Sequence, residues 1–175
     1  MVMKRWSASG GVAMVIAVAI MFTAARVGAD SSESSSRGEP LQGTWVVEVT
    51  LRNCQSNAAL TSFPSLLTHA QGGTTVEVPS AAGFAPGQRT NGLGVWRHDR
   101  GQTYRAQIVA LINFETPPNP PVSPGFKPGW QTLTTTINVI DRDRFESVGS
   151  VEFYDAQGNL YLKGCSSGAG QRLGS

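Results

Sequence analysis

The chain has 175 residues and a mass of 18.5 kDa, a length that favours one domain over two. Charged residues make up only 15% of it, against about 25% in an average soluble protein, and it contains 20 glycines and 10 prolines. This composition disfavours a charged helical bundle or coiled coil. A formal charge of +2 without a basic stripe also disfavours a nucleic-acid partner, and we expect a turn-rich β domain.

Residues 1–29 have the features of a secretory signal peptide. Lys4 and Arg5 provide a positive start, about 15 apolar residues follow at 11–25, and small residues stand just before Asp30. We expect cleavage before Asp30. The alternative, an uncleaved membrane anchor, requires nearer 20 apolar residues. The sequence therefore predicts a secreted or periplasmic protein without stable membrane insertion after cleavage.

The segment that follows, residues 30–40, is polar and rich in serine, with no apolar pattern to bury. We expect it to be a disordered tether. Cleavage also removes three of the 14 basic residues, which leaves 11 basic and 12 acidic residues. The mature chain is then near neutral, so electrostatic attraction to nucleic acid or to anionic lipid is not expected.

From Gly43 onward the sequence alternates with a period of two residues, which is typical of half-buried β-strands. No segment after the signal peptide has a convincing helical period. Short turn sequences separate the alternating segments. Eight strands are therefore predicted, at about 43–53 (β1), 63–70 (β2), 74–78 (β3), 92–98 (β4), 103–115 (β5), 130–140 (β6), 144–154 (β7) and from about 160 (β8).

Eight consecutive strands joined by hairpins predict an all-β fold, a closed antiparallel up-and-down barrel over residues 41–175. A barrel of this size is either filled by side chains or holds one small ligand. Its long connections, at about 54–62, 79–91 and 116–129, follow alternate strands and lie at the same end. We therefore expect an open mouth opposite a closed base. A two-sheet sandwich is the alternative, but it fits so regular a hairpin series less well.

Gly43, Thr44 and Trp45 form a Gly-x-Trp motif at the start of β1. With the strand series, this motif resembles the lipocalin-like (calycin) barrels of secreted proteins, and most nearly their short bacterial members. The resemblance implies that Trp45 plugs the closed base and that a basic residue of the last strand, Arg172, packs across it. The chain departs from the wider pattern because it has no helix signal after β8 and no Thr-Asp-Tyr-type motif near β6 and β7.

The two cysteines of the mature chain, Cys54 and Cys165, are expected to form a disulfide. Export places them where disulfides persist, and a closed barrel makes β1 and β8 neighbours. A ladder in which Cys54 faces Cys165 also puts Val47 opposite Arg172 and brings its guanidinium within reach of Trp45. Two buried free thiols are the alternative.

Metal binding and nucleophilic catalysis have little support in the sequence. Its two histidines, His69 and His98, lie on different strands without a metal-ligand spacing. No Gly-x-Ser-x-Gly nucleophile motif occurs. We therefore predict no metal, no cofactor and no catalytic residue. Glu115, at the mouth end of β5, is the one carboxylate that remains a candidate acid.

The β5–β6 connection contains six prolines and is expected to be a stiff, extended cover over the mouth. We predict that the barrel binds a small, mostly apolar ligand without catalysis. The residues expected to contact the ligand are His69, Tyr104, Ile108, Ile112 and Phe114 inside the barrel, and Phe84, Phe126 and Trp130 at its mouth.

Two other functions stay open. A barrel-type cyclase or isomerase acting on a lipid-like substrate requires a buried acid or histidine in the lumen, such as Glu115 or His69. A solid-core barrel that serves as a surface protein-interaction module requires instead an external apolar patch, for which Val109 and Leu111 are the candidates.

Overall fold

The computed structural model describes residues 38–80, 83–118 and 125–174. The predicted signal peptide at 1–29 and the tether up to residue 37 lie outside the described residues. Within the described ranges, no helix has the length and hydrophobicity to cross a membrane.

Eight antiparallel strands form a closed barrel in the order of the sequence, as the period-two pattern predicted. Each strand pairs with the next, and β8 returns to pair with β1. Closure leaves the sheet without an unpaired edge. The strands are Gly43–Arg52 (β1), Ala59–His69 (β2), Thr74–Pro79 (β3), Gly92–Arg100 (β4), Thr103–Ile112 (β5), Gly129–Val139 (β6), Arg144–Asp155 (β7) and Leu160–Arg172 (β8).

The strand bounds differ from the predicted ones mainly at the mouth. β2 begins at Ala59, earlier than expected, and β5 ends at Ile112 rather than continuing to residue 115. The chain leaves the β5–β6 ladder there because the N–H of Asn113 donates to the carbonyl of Gln88 in the β3–β4 connection. Phe114 therefore lies beyond the strand that was expected to carry it.

A disulfide joins Cys54 to Cys165, as predicted, with their Cα atoms 5.1 Å apart. The predicted register of the β1–β8 ladder was wrong by two residues. Arg52, not Cys54, lies opposite Cys165, and Arg172 lies opposite Trp45 itself. β1 ends at Arg52, so Cys54 bonds to β8 from the turn that follows. A shift of two residues leaves every side chain on its expected face.

The main hydrophobic core fills the part of the barrel nearest the closed base. Trp45 is fully buried, and its ring meets that of Phe145 edge to face with centroids 4.9 Å apart. The indole N–H of Trp45 donates to the carbonyl of Leu41 at 2.9 Å, so the one polar atom of this ring is satisfied. The rest of this core consists of Val47, Leu67, Trp96, Tyr104, Ala106, Ile108, Ile137 and Val139.

Arg172 covers Trp45 at the base. Its guanidinium carbon lies 4.1 Å from the centre of the Trp45 ring, and its N–H groups donate to the carbonyls of Pro40 and Gln42 at 2.7 and 2.6 Å. Gly43 has a φ of 128°, and a Cβ there would lie 2.5 Å from Nη1 of Arg172. The backbone and the close approach of Arg172 thus both require glycine at this position.

The last residues of the predicted tether also contact the base. The hydroxyl of Tyr104 donates to the carboxylate of Glu39 at 3.0 Å. Burial, together with this carboxylate, raises the pKa of Tyr104 to about 12. The structured unit therefore begins before residue 41, where the sequence placed its start.

Candidate functional site

A cavity of about 50 Å³ lies inside the barrel. Part of its lining comes from β1 and β2, where Val49, Leu51 and Phe63 face inward yet are only half-buried. Solvent therefore reaches the lumen from the mouth along these two strands. The enclosed volume is enough for one or two water molecules, and pockets for drug-sized ligands measure about 300–1,000 Å³. A larger ligand would fill the cavity with one end and extend toward the mouth.

A buried ion pair lies beside this cavity. Glu77 faces inward from β3, and Arg89 reaches into the lumen from the β3–β4 connection, with side chains 7% and 4% exposed. Nη2 of Arg89 donates to Glu77, and its Nε donates to the side-chain oxygen of Gln131 on β6. Glu77 and Gln131 both line the cavity. Because a buried ion pair contributes little net stability, its position next to a cavity is a functional signal.

Glycine on β4 makes room for this pair. A Cβ at Gly92 would lie 2.8 Å from a carboxylate oxygen of Glu77 and 2.5 Å from a methyl group of Ile108. A Cβ at Gly94 would lie only 1.9 Å from the backbone oxygen of Gln107. Both glycines occupy inward positions of β4. At Gly92 the side chain of Glu77 from β3 takes the space, whereas at Gly94 the backbone of β5 approaches too closely for a side chain.

His69 is a second buried polar group of the cavity lining. It is 1% exposed, and its ring packs edge to face against Trp96 with centroids 5.9 Å apart. Neither ring nitrogen has a hydrogen-bond partner among the described residues, and neither do the hydroxyls of Ser65 and Thr75. Thr75 lies opposite His69 in the ladder. Buried polar atoms of this kind are usually satisfied by water or a ligand. Burial lowers the pKa of His69 from 6.5 to about 4, so the ring is neutral at pH 7.

We expect the protein to lose stability between pH 6.5 and pH 4 because of His69. In this range the unfolded chain binds a proton at the histidine and the folded chain does not, so the free energy of unfolding falls as the pH falls. The difference between the two pKa values corresponds to about 3 kcal/mol. Urea unfolding at several pH values measures this fall in the free energy of unfolding. His69→Leu should lack the part of the fall that is due to the histidine.

His98→Leu is the matched control for that experiment. His98 is exposed near the base, where a ring nitrogen lies 2.8 Å from the carbonyl oxygen of Gly101. The pH profile of this variant should follow that of the original protein. Identical profiles for His69→Leu and His98→Leu would show that His69 is not the group responsible.

An aromatic layer covers the mouth on the side of β5, β6 and β7. The rings of Phe84 and Phe126 are stacked with centroids 4.3 Å apart. The fully buried Gln88 ties the two mouth connections together by donating to the carbonyl of Phe114 at 3.0 Å and to the hydroxyl of Thr116 at 2.9 Å. The layer also contains Ile112, Leu133, Val151, Phe153, Tyr161 and Leu162. Residues 119–124 of the expected proline-rich cover lie outside the described residues.

The structure distributes the predicted ligand-contacting residues over four places. His69 and Ile108 line the cavity. Tyr104 belongs to the core at the base, and it reaches Glu39 rather than the cavity. The aromatic layer contains Phe84, Ile112 and Phe126.

The two remaining predicted contacts, Phe114 and Trp130, are on the outside. Phe114 is 41% exposed beyond the end of β5. Trp130 pairs with Leu111 in the ladder, on the outer face of the sheet, and its ring stacks on Tyr154 with centroids 5.4 Å apart. Glu115, the acid retained from the sequence, is exposed. None of these three side chains lines the luminal cavity.

The polar lining residues Glu77 and Gln131 were not predicted from the sequence. Glu77 stands between Val76 and Val78, so simple alternation puts the valines inside and the carboxylate outside. The structure has the opposite arrangement, with Val78 exposed. The available signal was the pair Gly92 and Gly94, because two glycines at alternate positions of one strand indicate space or close backbone approach on one face.

The outer wall carries an apolar patch on β4 and β5, where the interaction-module alternative expected one. Leu93 and Val95 are 63% and 64% exposed, and Val109 and Leu111 are 40% and 55% exposed. The ladder places Leu93 directly opposite Val109, so these side chains form one surface.

A polar trough of about 490 Å³ runs along the outer face of β8. Its floor is formed by the small side chains of Ser167 and Ala169, and Glu48 and Glu146 lie opposite Ala169 on either side in the ladders. The rest of the lining comprises Thr50, Arg52, Thr136, Asn138, Ser147, Val148 and Gly168. Within residues 38–80, 83–118 and 125–174, no group of three His, Cys, Asp or Glu side chains is arranged to hold a metal ion.

Comparison with known proteins assigns no family to this chain. The sequence matches no protein-family model, and no curated protein is significantly similar to it. The closed barrel of eight antiparallel strands is consistent with a lipocalin-like barrel.

Proposed function

We propose that this chain is an exported, lipocalin-like barrel that binds a small, mostly apolar ligand in its lumen and leaves it chemically unchanged. The cavity beside the Glu77–Arg89 pair is the observation that carries this proposal, because its lining is apolar on one side and polar on the other. Small-molecule sites are typically apolar concavities with a few placed polar groups, and barrel mouths are common locations for them.

The half-buried lining indicates how a ligand would lie. Its apolar part would follow Val49, Leu51 and Phe63 toward the mouth, where solvent already reaches the lumen. Its polar end would point inward, toward the unpartnered ring nitrogens of His69. Because the enclosed space measures about 50 Å³, only the inner end of the ligand has to be compact.

The disulfide supports the export part of the proposal. Cys54 and Cys165 are joined, and no free cysteine remains among the described residues. Bridges of this kind persist in oxidising compartments and are rare in the cytosol. The apolar run at 11–25, preceded by Lys4 and Arg5, would direct the export.

Ser166→Phe tests the luminal site. Ser166 lines the cavity and lies opposite Leu51 in the ladder, so a phenyl ring there would occupy the space. With 1-hexanol as the probe, we expect millimolar binding that shifts the backbone amide NMR signals of Leu51 and Phe63. The same titration of Ser166→Phe should leave these signals unchanged.

Ala169→Phe is the matched control on the same strand. Ala169 is exposed on the outer face and lines the trough, so this variant fills the trough and leaves the lumen open. It should bind 1-hexanol as the original protein does. Binding that is lost in Ala169→Phe and kept in Ser166→Phe would place the ligand in the trough. No binding of 1-hexanol by the original protein would refute the luminal proposal.

A second candidate function, a cyclase or isomerase acting on a lipid-like substrate, uses the same cavity. His69 favours it, because this histidine lines the cavity with two unpartnered nitrogens and an imidazole that acts as a general base must be unprotonated. This alternative predicts that a lipid extract incubated with the full chain yields products. It also predicts that His69→Leu stops product formation while 1-hexanol still binds.

A further inference from the structure

The charged groups that face the lumen neutralise each other. Glu77 and Arg89 form a single ion pair, and no other carboxylate, lysine or arginine side chain among the described residues is as deeply buried. The ring of His69, the remaining titratable group of the lining, is uncharged at neutral pH. A ligand with its own charge would therefore enter the cavity without a counter-charge, which is strongly unfavourable in a desolvated site.

The unpartnered polar atoms add a second constraint. A neutral imidazole has one N–H donor and one lone-pair acceptor, and both nitrogens of His69 are without a partner. The hydroxyl of Thr75, opposite His69 in the ladder, can also donate and accept, and it is unpartnered too. An ammonium group only donates, and a carboxylate only accepts. A hydroxyl group does both, so it suits this set of atoms best.

We infer that the ligand of the lumen is a small uncharged alcohol, held with its hydroxyl toward His69 and its hydrocarbon part toward Leu51 and Phe63. This inference rests on the proposed luminal site and names the chemical class that the site selects. The hydroxyl group hydrogen-bonds the imidazole, and the Glu77–Arg89 pair stays closed.

Three probes with the same hydrocarbon chain test this inference on the unmodified full chain. 1-Hexanol is neutral, whereas hexanoate and hexylammonium are fully charged at pH 7. We expect 1-hexanol to bind with a dissociation constant at least about tenfold lower than that of either ion. The NMR signals of Leu51 and Phe63 report the site, and Ser166→Phe shows whether each probe occupies the lumen.

The possible outcomes separate this inference from the proposed function. If either ion binds in the lumen as tightly as 1-hexanol, the preference for an alcohol is wrong while the luminal site stands. If none of the three probes binds, the luminal site itself is wrong. Binding of 1-hexanol alone, lost in Ser166→Phe, supports both.

A pair of histidine variants tests the role of the imidazole. His69→Leu should raise the dissociation constant of 1-hexanol about tenfold, because the hydroxyl loses its hydrogen-bond partner. His98→Leu, on the exposed histidine, should leave it unchanged. Equal affinities in the two variants would overturn the placement of the hydroxyl. The three-probe comparison decides the ligand class even if His69→Leu does not fold.

Discussion

Replacing both Cys54 and Cys165 with serine is expected to lower the free energy of unfolding by about 4–5 kcal/mol. The bridge joins residues separated by 111 positions, and loops of this length gain the most from a cross-link in the chain-entropy model. It also holds together β1 and β8, the pair of strands that closes the barrel. Urea unfolding of the double variant and of the original protein measures the difference.

The reduced original protein is the control for that comparison. Its unfolding should coincide with that of the double serine variant, because the loss of the bridge is the main change in both proteins. If the double variant is as stable as the oxidised protein, the pairing of β1 with β8 does not depend on the bridge, and the expected stabilisation is wrong.

The second large effect is expected from Arg89→Met, which should cost about 3–5 kcal/mol of stability. The substitution leaves the carboxylate of Glu77, only 7% exposed, in the lumen without its partner. The double variant Arg89→Met/Glu77→Gln removes both charges and should recover much of the loss, since a buried pair contributes little net stability. Chemical unfolding of the single and double variants completes the cycle.

Arg97→Met is the matched control for Arg89→Met. Arg97 is exposed on the outer face of β4, so its replacement should change stability by less than about 0.5 kcal/mol. Equal costs for Arg89→Met and Arg97→Met would contradict the buried pair. A double variant no more stable than Arg89→Met would show that Glu77 is not the group left unpaired.

The barrel itself could be predicted from the sequence because local signals agree along the whole chain. Period-two alternation gave the strands, and short hairpins gave their order. Because a closed barrel makes β1 and β8 neighbours, the disulfide between Cys54 and Cys165 could be predicted as well. The register was off by two residues because a disulfide does not require directly opposed positions. It connects to the turn after Arg52 equally well.

The site was harder to predict because the inner surface of a barrel is set by long-range packing. Hydrophobicity places Val76 and Val78 inside, but Gly92 of β4 leaves room that the side chain of Glu77 occupies. Arg89 comes from a connection, where no periodicity exists to indicate which way it points.

Within the part of the chain that the structure describes, three surfaces compete for the ligand: the lumen, the trough along β8 and the apolar patch on β4 and β5. The lumen alone combines an apolar lining, a buried ion pair and unpartnered buried polar atoms. The trough is larger but open to solvent, and the patch is a convex surface of the barrel wall. Buried hydrogen-bonding groups without a partner in the protein are usually satisfied by water or a ligand.

Native mass spectrometry of the mature chain, purified from its own secretion route, tests the luminal site most directly. We predict a discrete additional mass that is released on denaturation, or the uptake of one molecule of 1-hexanol by the empty chain. Ser166→Phe should carry neither, and Ala169→Phe should behave as the original protein does. If the measured mass is that of the protein alone, and neither 1-hexanol nor a lipid extract changes it, the luminal site is contradicted. The outer wall would then be the functional surface.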